Sequence, residues 1–318
     1  MKKIPAIHGP VDVSNLGFTL VHEHLIFNFP EEHRQTAVDF TRGKLSDYRA
    51  AGGRTIVDLT PFRKMDWLLE TCAGYDLNFI LSTGYYLEGQ QEKLPEGALA
   101  RSVEQHRERM EREILEGIGG TGVRAGIIKV AGDLPVLTPW ETGVFTAAAQ
   151  ASVRTKTPIA THACTGQRAQ QDVLLRAGAD LCHVFYSHVE AKFGWEGRDV
   201  HEELDYLLAL LKEGSRIQFN NFDFYFDTPK HELIFLLRSI ADRGYLDRIF
   251  VSIDMNYEID GDGNVWPEAS PEHPEARKRD YAYIINDTVP LLRDEVGFTA
   301  REIDTIFVDN PQRFFDWE

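Results

Sequence analysis

The stretch from Phe18 to Phe27, FTLVHEHLIF, carries two histidines within a short apolar run. A run of this length and composition reads as a buried strand. Side chains alternate along a strand, so His22 and His24 share one face while Glu23 takes the other. Two imidazoles about 7 Å apart on one face can share a metal ion. The alternative is a pair of core histidines hydrogen-bonded to neighbours, and residues elsewhere in the chain must decide.

Similar apolar runs recur at Thr55 to Asp58, Asn78 to Thr83, Ala125 to Val130, Thr157 to His162, His183 to His188, Arg216 to Phe219 and Ile249 to Asp254. Helical patterns separate them: 36–51, 64–72, 99–116, 138–152, 168–177, 202–213 and 228–243, with two more at 279–295 and 300–307 closing the chain. Thr138 followed by Pro139 is an N-cap and first-turn pair. Eight short strands, each followed by a helix, predict an α/β protein built as a single (β/α)8 TIM barrel. The 318 residues exceed the ~250 typical of that fold, which predicts long loops on its C-terminal face. Residues 1–318 are read as one domain, opening with a short strand-turn-strand from Ile4 to Val13. An open doubly wound sheet is the alternative, but no GxGxxG follows any strand.

The net charge of -16 argues against a nucleic-acid or anionic-membrane partner, since both need a basic face. A small-molecule substrate is expected instead. Cys72, Cys164 and Cys182 form no CxxC and no even set, which suggests free thiols in a reducing compartment. The N-terminal MKKIPAIHGP has no apolar stretch behind its lysines, and no run approaches the ~18 residues of a membrane span. The expected location is cytoplasmic.

Barrel strands converge at their C-terminal ends, where active sites sit. Those ends carry His22 and His24, Lys129, His162, His188 and Asp254. Singly, each has a structural explanation: a hydrogen-bonded core histidine, a paired lysine, a capping aspartate. Four histidines, a lysine and an aspartate at the same level of five strands exceed what core polarity explains.

The same residues lie in a set of motifs that resembles the phosphotriesterase family of the amidohydrolase superfamily, including its lactonase-like branch. The resemblance runs nearly end to end: GFTLVHEHL (17–25), STGYY (82–86), AGIIKV (125–130), ATH (160–162), SH (187–188), VSIDM (251–255) and DNPQRFF (309–315). It implies two divalent metal ions, usually zinc, with manganese, cobalt or iron as alternatives. His22, His24 and Asp254 would hold the more buried ion, and His162 and His188 the more exposed one. Lys129 would carry a carbamate bridging the metals, together with a hydroxide. The implied reaction is attack of that hydroxide on a lactone or other carboxylic ester, with Asp254 moving the proton and with organophosphate triesters as a side activity. Members of the family are often homodimers. Glu23 is read as structural, because a zincin base would need the helical spacing HExxH.

Substrate choice belongs to the loops after the strands. Tyr86 matches a tyrosine that leans over the metals in lactonase-like members, or else packs beneath its loop. The loops from Glu190 to His201 and from Met255 to about Asp280 are distinctive. Arg277, Lys278, Arg279 and Tyr281 are candidates for binding a phosphate or carboxylate, against a solvated first turn of the following helix. The aromatic run from Gln218 to Asp227 would form an apolar wall. Within the family, an organophosphate or phosphodiester hydrolase is the competing activity. Outside it stand a Schiff-base aldolase working through Lys129 and a non-catalytic ligand-binding barrel.

Overall fold

The structure, a computed structural model, describes residues 2–27, 29–191, 193–222, 228–255, 257–260, 263–267 and 279–317. A small antiparallel pair, β1 (Lys3–Ile4) and β2 (Val11–Asp12), precedes the main sheet. Eight strands then pair in sequence order: β3 (Thr19–Glu23), β4 (Thr55–Asp58), β5 (Asn78–Gly84), β6 (Ile127–Ala131), β7 (Ile159–His162), β8 (Val184–Tyr186), β9 (Arg216–Phe219) and β10 (Ile249–Val251). Every pairing is parallel. The seam closes where the Asp254 N–H donates to the His22 carbonyl (3.2 Å) and the His24 N–H to the Met255 carbonyl (3.1 Å). The result is the expected (β/α)8 barrel.

Glu23 seals that seam. Its buried carboxylate accepts from Ser252 Oγ (2.6 Å), the Ile253 N–H (3.0 Å) and the Met255 N–H (2.8 Å). Burial lifts its pKa to about 8 against the pull of those three donors. These bonds stand in for ladder bonds where the two strands diverge, so Glu23 is a structural residue.

Two separate apolar clusters mark the two faces of the sheet. Val21, Val57, Ile80, Ile127, Ala160, Phe185 and Phe250 form the barrel interior, plugged by Phe314 and Phe315. Leu20, Ile56, Phe79, Ile128 and Val251 pack outward with the helices. Along β3 this alternation is broken. Leu20 pairs with Ile56 but Glu23 with Asp58, so three steps of β3 match two of β4. A bulge of this kind re-aims the residues beyond it. It turns His22 and His24 inward although Val21 already faces in.

The helices are α1 (Arg34–Ala51), α2 (Met65–Cys72), α3 (Val103–Leu115), α4 (Pro139–Thr155), α5 (Gln167–Arg176), α6 (Val200–Lys212), α7 (Lys230–Ile240), α8 (Val289–Asp294), α9 (Ala300–Asp304) and α10 (Asn310–Phe315). Thr138 caps α4 through a capping box with Glu141, with Pro139 in its first turn. Most helix ends differ from expectation by a few residues, and three of the differences have a local cause or consequence. α3 starts at 103 rather than 99, because Ser102 and Gln105 form a capping box there. The helix expected over 279–295 begins as a wide turn at Ile284 and continues into α8. The one expected to stop at 307 runs on through a second wide turn into α10. Pro311 does not stop it, since a missing N–H costs nothing in the first turn of a helix. The extension sends Phe314 into the barrel floor, 5.4 Å from Phe185 and 5.3 Å from Phe250 between ring centroids. The long loop after β10 also holds a hairpin that periodicity did not reveal, β11 (Tyr257–Ile259) with β12 (Val265–Pro267).

Among the described residues no helix is long and apolar enough to cross a membrane.

Candidate metal centre

At the barrel mouth the structure brings together residues from the ends of five strands. His22 Nε2 and His24 Nε2 lie 3.3 Å and 3.0 Å from the same oxygen, Asp254 Oδ1. His188 Nε2 is 3.6 Å from Asp254 Oδ2, and Lys129 Nζ is 3.3 Å from His22 Nε2. The His162 ring packs 4.5 Å from that of His188. Lys129 is fully buried, His22, His24 and His188 nearly so, and His162 half-buried.

Backbone geometry at this level is unusual. Among the described residues only three non-glycine positions have positive φ, and His188 (59°) and Asp254 (53°) are two of them. Such conformations cost on the order of 1–3 kcal/mol and persist where function requires them. Gly84 makes room for Lys129: at φ +123° its missing Cβ would lie 1.8 Å from the Lys129 carbonyl oxygen.

Partners behind the ligand set fix its orientation. The Gln218 amide donates through Nε2 to the Phe219 carbonyl (2.9 Å), which turns its Oε1 towards His22 Nδ1 (3.1 Å). An amide oxygen can only accept, so His22 carries its proton on Nδ1 and presents a bare lone pair at Nε2. His24 Nδ1 is held by Thr60 Oγ1 (2.7 Å). Outer partners of this type are a regular feature of metal-binding histidines.

Electrostatics keep the set ready for a cation. Burial, together with the positive charge of Lys129, holds His22 and His162 well below the usual imidazole range and brings His188 to about 4. The rings are therefore neutral at physiological pH. Burial opposes the charged form of Asp254, yet His22, His24 and His188 hold its carboxyl well below the ordinary range. Burial lowers Lys129 to about 8.

These groups suit a metal better than they suit one another. The unprotonated His22 Nε2 lies 3.3 Å from a carboxylate oxygen and, among the described residues, is met by a donor only at Lys129 Nζ, also 3.3 Å away. Asp254 Oδ1 and His188 Nε2 are buried without a well-aligned hydrogen bond among the described residues. A divalent ion between them removes the conflict, and His22, His24 and Asp254 form one group with metal-binding spacing. A second group of that kind is Asp133, His162 and Cys164. Cys164 and Asp133 were not expected from the sequence. Both follow an inward-facing ligand by an even number of residues, which was the available signal.

The loop residues divide differently from expectation. Tyr86 is half-buried, with its ring 5.5 Å from that of His162. Lys93, also unforeseen, lies over the rings of Phe27 (4.8 Å), Tyr86 (5.3 Å) and Phe62 (5.7 Å). A cavity of about 440 Å³ lined by Phe27, Phe29, Phe62 and Arg63 adjoins this group. Arg277 and Lys278 lie outside the described residues, as do 223–227 of the expected aromatic wall.

Arg279 and Tyr281 correct the expected anion site. Arg279 is buried and donates to the backbone carbonyls of Ile253 and Asn220. The Tyr281 hydroxyl donates to the His24 carbonyl (2.7 Å) with its ring fully buried. Both brace ligand-bearing backbone from behind. Strand ends near a bulge expose carbonyls that need donors, and this need drew the two residues inward. Glu190, at the start of the loop after β8, braces backbone in the opposite sense, accepting from the Asn220 and Asn221 N–H groups (both 2.6 Å).

A barrel mouth that gathers four imidazoles, a carboxylate and a buried amine has the donor set of a metal-dependent hydrolase. The chain belongs to the phosphotriesterase family, whose model matches residues 2–315. It is similar to a phosphotriesterase homology protein of Mycobacterium tuberculosis, 31% identical over 99% of this chain and 98% of the relative. It is also similar to an aryldialkylphosphatase of Saccharolobus solfataricus, 30% identical over 98% and 99%. The solved structure of the phosphotriesterase from Mycobacterium tuberculosis superposes with a TM-score of 0.81 at 28% identity, covering 99% of each chain. With these relatives, the chain is a hydrolase acting on ester bonds.

Proposed function

We propose that this protein is a binuclear hydrolase that opens a lactone or other carboxylic ester, with organophosphate triesters as a side activity. The observation that carries the reading is the His22–Asp254 contact: a lone pair fixed by Gln218 lies 3.3 Å from an anionic oxygen, an arrangement that a shared cation would stabilise. His22, His24 and Asp254 would hold the inner ion, and His162 and His188 the outer one. Lys129 would join both as a carbamate. Its pKa of about 8 leaves part of the amine neutral near physiological pH, and the neutral amine is the form that takes up carbon dioxide, releasing a proton. Two divalent ions, zinc first among them, supply a hydroxide at neutral pH and polarise the oxygen of the attacked group.

The protein's own groups do the rest. Asp254 would take the proton of the attacking hydroxide and pass it to the leaving oxygen. Tyr86, packed against His162, leans over the attacked carbon and orients the ester. The cavity beside Phe27 and Phe62 takes the apolar remainder of the substrate. The similarity to an aryldialkylphosphatase favours a second reading, in which organophosphate triesters are the main substrates.

Metal analysis with steady-state rates on a panel of lactones and aryl phosphotriesters tests the proposal. Two ions per chain and faster lactone turnover are expected. A kcat/KM for the best lactone ~100-fold below that for the triesters, about 2.7 kcal/mol of barrier, overturns the choice of ester. A fully active protein without bound metal overturns the whole reading. So does covalent trapping of substrate on Lys129 by borohydride.

A further inference from the structure

The outer half of the centre contains more donors than two histidines. β6 and β7 pair with Ala131 opposite His162. Two steps further along each chain, just past the strand ends, stand Asp133 and Cys164. The structure brings Cys164 Sγ to 3.7 Å from His162 Nε2. Asp133, His162 and Cys164 each offer an atom within 4.8 Å of the other two. Nitrogen and sulfur bound to one zinc at their usual bond lengths lie about 3.1–3.8 Å apart for angles of about 90–120°, a range that includes the observed separation. The cluster belongs to the same mouth: the His162 ring lies 4.5 Å from that of His188.

We propose that Cys164 and Asp133 are ligands of the outer metal ion beside His162, and that the thiolate makes this site selective for a thiophilic divalent cation. The inference rests on the binuclear reading above and adds to it the identity of the outer ion. Thiolate ligation favours zinc, cobalt or iron over manganese or magnesium, which prefer oxygen donors. The proton leaves Cys164 as the metal binds, since only the thiolate is a ligand. The other two cysteines are elsewhere. Cys72 is buried in α2, and Cys182 precedes β8 at the opposite end of the barrel.

Cobalt(II) titrated into the metal-free full-length protein reports this directly, because a cobalt–thiolate bond gives a charge-transfer band in the near ultraviolet. Two bound cobalt ions and one such band are expected. Cys164→Ser should abolish the band and still bind the first equivalent, whereas Cys182→Ser should leave both unchanged. Asp133→Asn should retain the band at saturating cobalt while weakening the second equivalent at least ~10-fold. In competition, zinc should displace manganese from the second equivalent, and Cys164→Ser should reduce that preference at least ~10-fold. Two bound cobalt ions without a band, or a band that survives Cys164→Ser, overturns the inference and leaves the binuclear reading intact. Failure to bind cobalt at all overturns both.

Discussion

The tautomer of His22 is set by one amide, and removing that amide should weaken metal binding without unfolding the protein. Gln218→Met keeps the volume but removes the acceptor for His22 Nδ1. The Phe219 carbonyl, which loses the Gln218 donor, still accepts the Ser252 N–H at 3.1 Å. In the metal-free protein the imidazole can move its proton to Nε2 and donate to Asp254 Oδ1, 3.3 Å away. In the metal-bound protein Nε2 is engaged, so the Nδ1–H is stranded in a buried site. A stranded donor costs about 1–3 kcal/mol, and outer partners of metal-bound imidazoles are worth about 10–100-fold in affinity. The two ranges coincide. Zinc affinity, measured against a competing chelator, should therefore fall about 10–100-fold. Denaturant unfolding of the metal-free protein should change by less than about 1 kcal/mol. Gln218→Glu, which keeps an acceptor, should retain the affinity. Equal zinc affinity in Gln218→Met, or a loss of metal-free stability as large as the loss of binding, would refute the reasoning.

Gly84→Ala should be severe: its Cβ would meet the Lys129 carbonyl oxygen at 1.8 Å, backbone that cannot yield, at a cost above about 4 kcal/mol. Gly89→Ala, with nothing within 4 Å, is the control, and denaturation midpoints compare the two. Tyr281→Phe should lower stability by about 1 kcal/mol by removing the donor to the His24 carbonyl. It should leave the ratio of rates on phosphorylated and unphosphorylated lactones unchanged; a selective loss on the former would restore Tyr281 to the substrate site. Burial pushes the Glu203 carboxyl up from 4.5 to about 7 despite Arg198 at 2.5 Å. An acid whose folded pKa is raised gives stability that is full below its unfolded value and lost as pH rises through the folded one. Relative to Glu203→Gln, the wild type should thus gain up to about 3 kcal/mol as pH falls from 8 to 4.5. A pH-independent difference between the two would contradict the assignment.

What was legible in the sequence was what repeats along one strand or one helix. The alternation of His22, Glu23 and His24 needed only a period of two. The Thr138–Pro139 start of α4 needed only cap chemistry, and the barrel followed from counting strand–helix pairs. The strand-end residues could then be gathered at one mouth, because a parallel barrel has only one such end. Pairings across the chain were not legible. Nothing near Glu23 announces that its partners lie at Ser252, Ile253 and Met255. The run Arg277-Lys278-Arg279 was misleading for a related reason. A local cluster of cations suggests a surface for anions, but Arg279 answers carbonyls just past the ends of β9 and β10.

The bulge in β3 shows how far the local rule extends. Strict alternation from Val21, which faces inward, would turn His22 and His24 out of the barrel and Glu23 into it. The extra residue between Leu20 and Glu23 reverses this. The same displacement that aims two imidazoles at Asp254 carries the Glu23 carboxylate to the seam with β10. The candidate metal centre and the barrel closure therefore depend on one irregularity, which ties Glu23 to the histidines on either side of it. A substitution that relaxes the bulge should fail at both together.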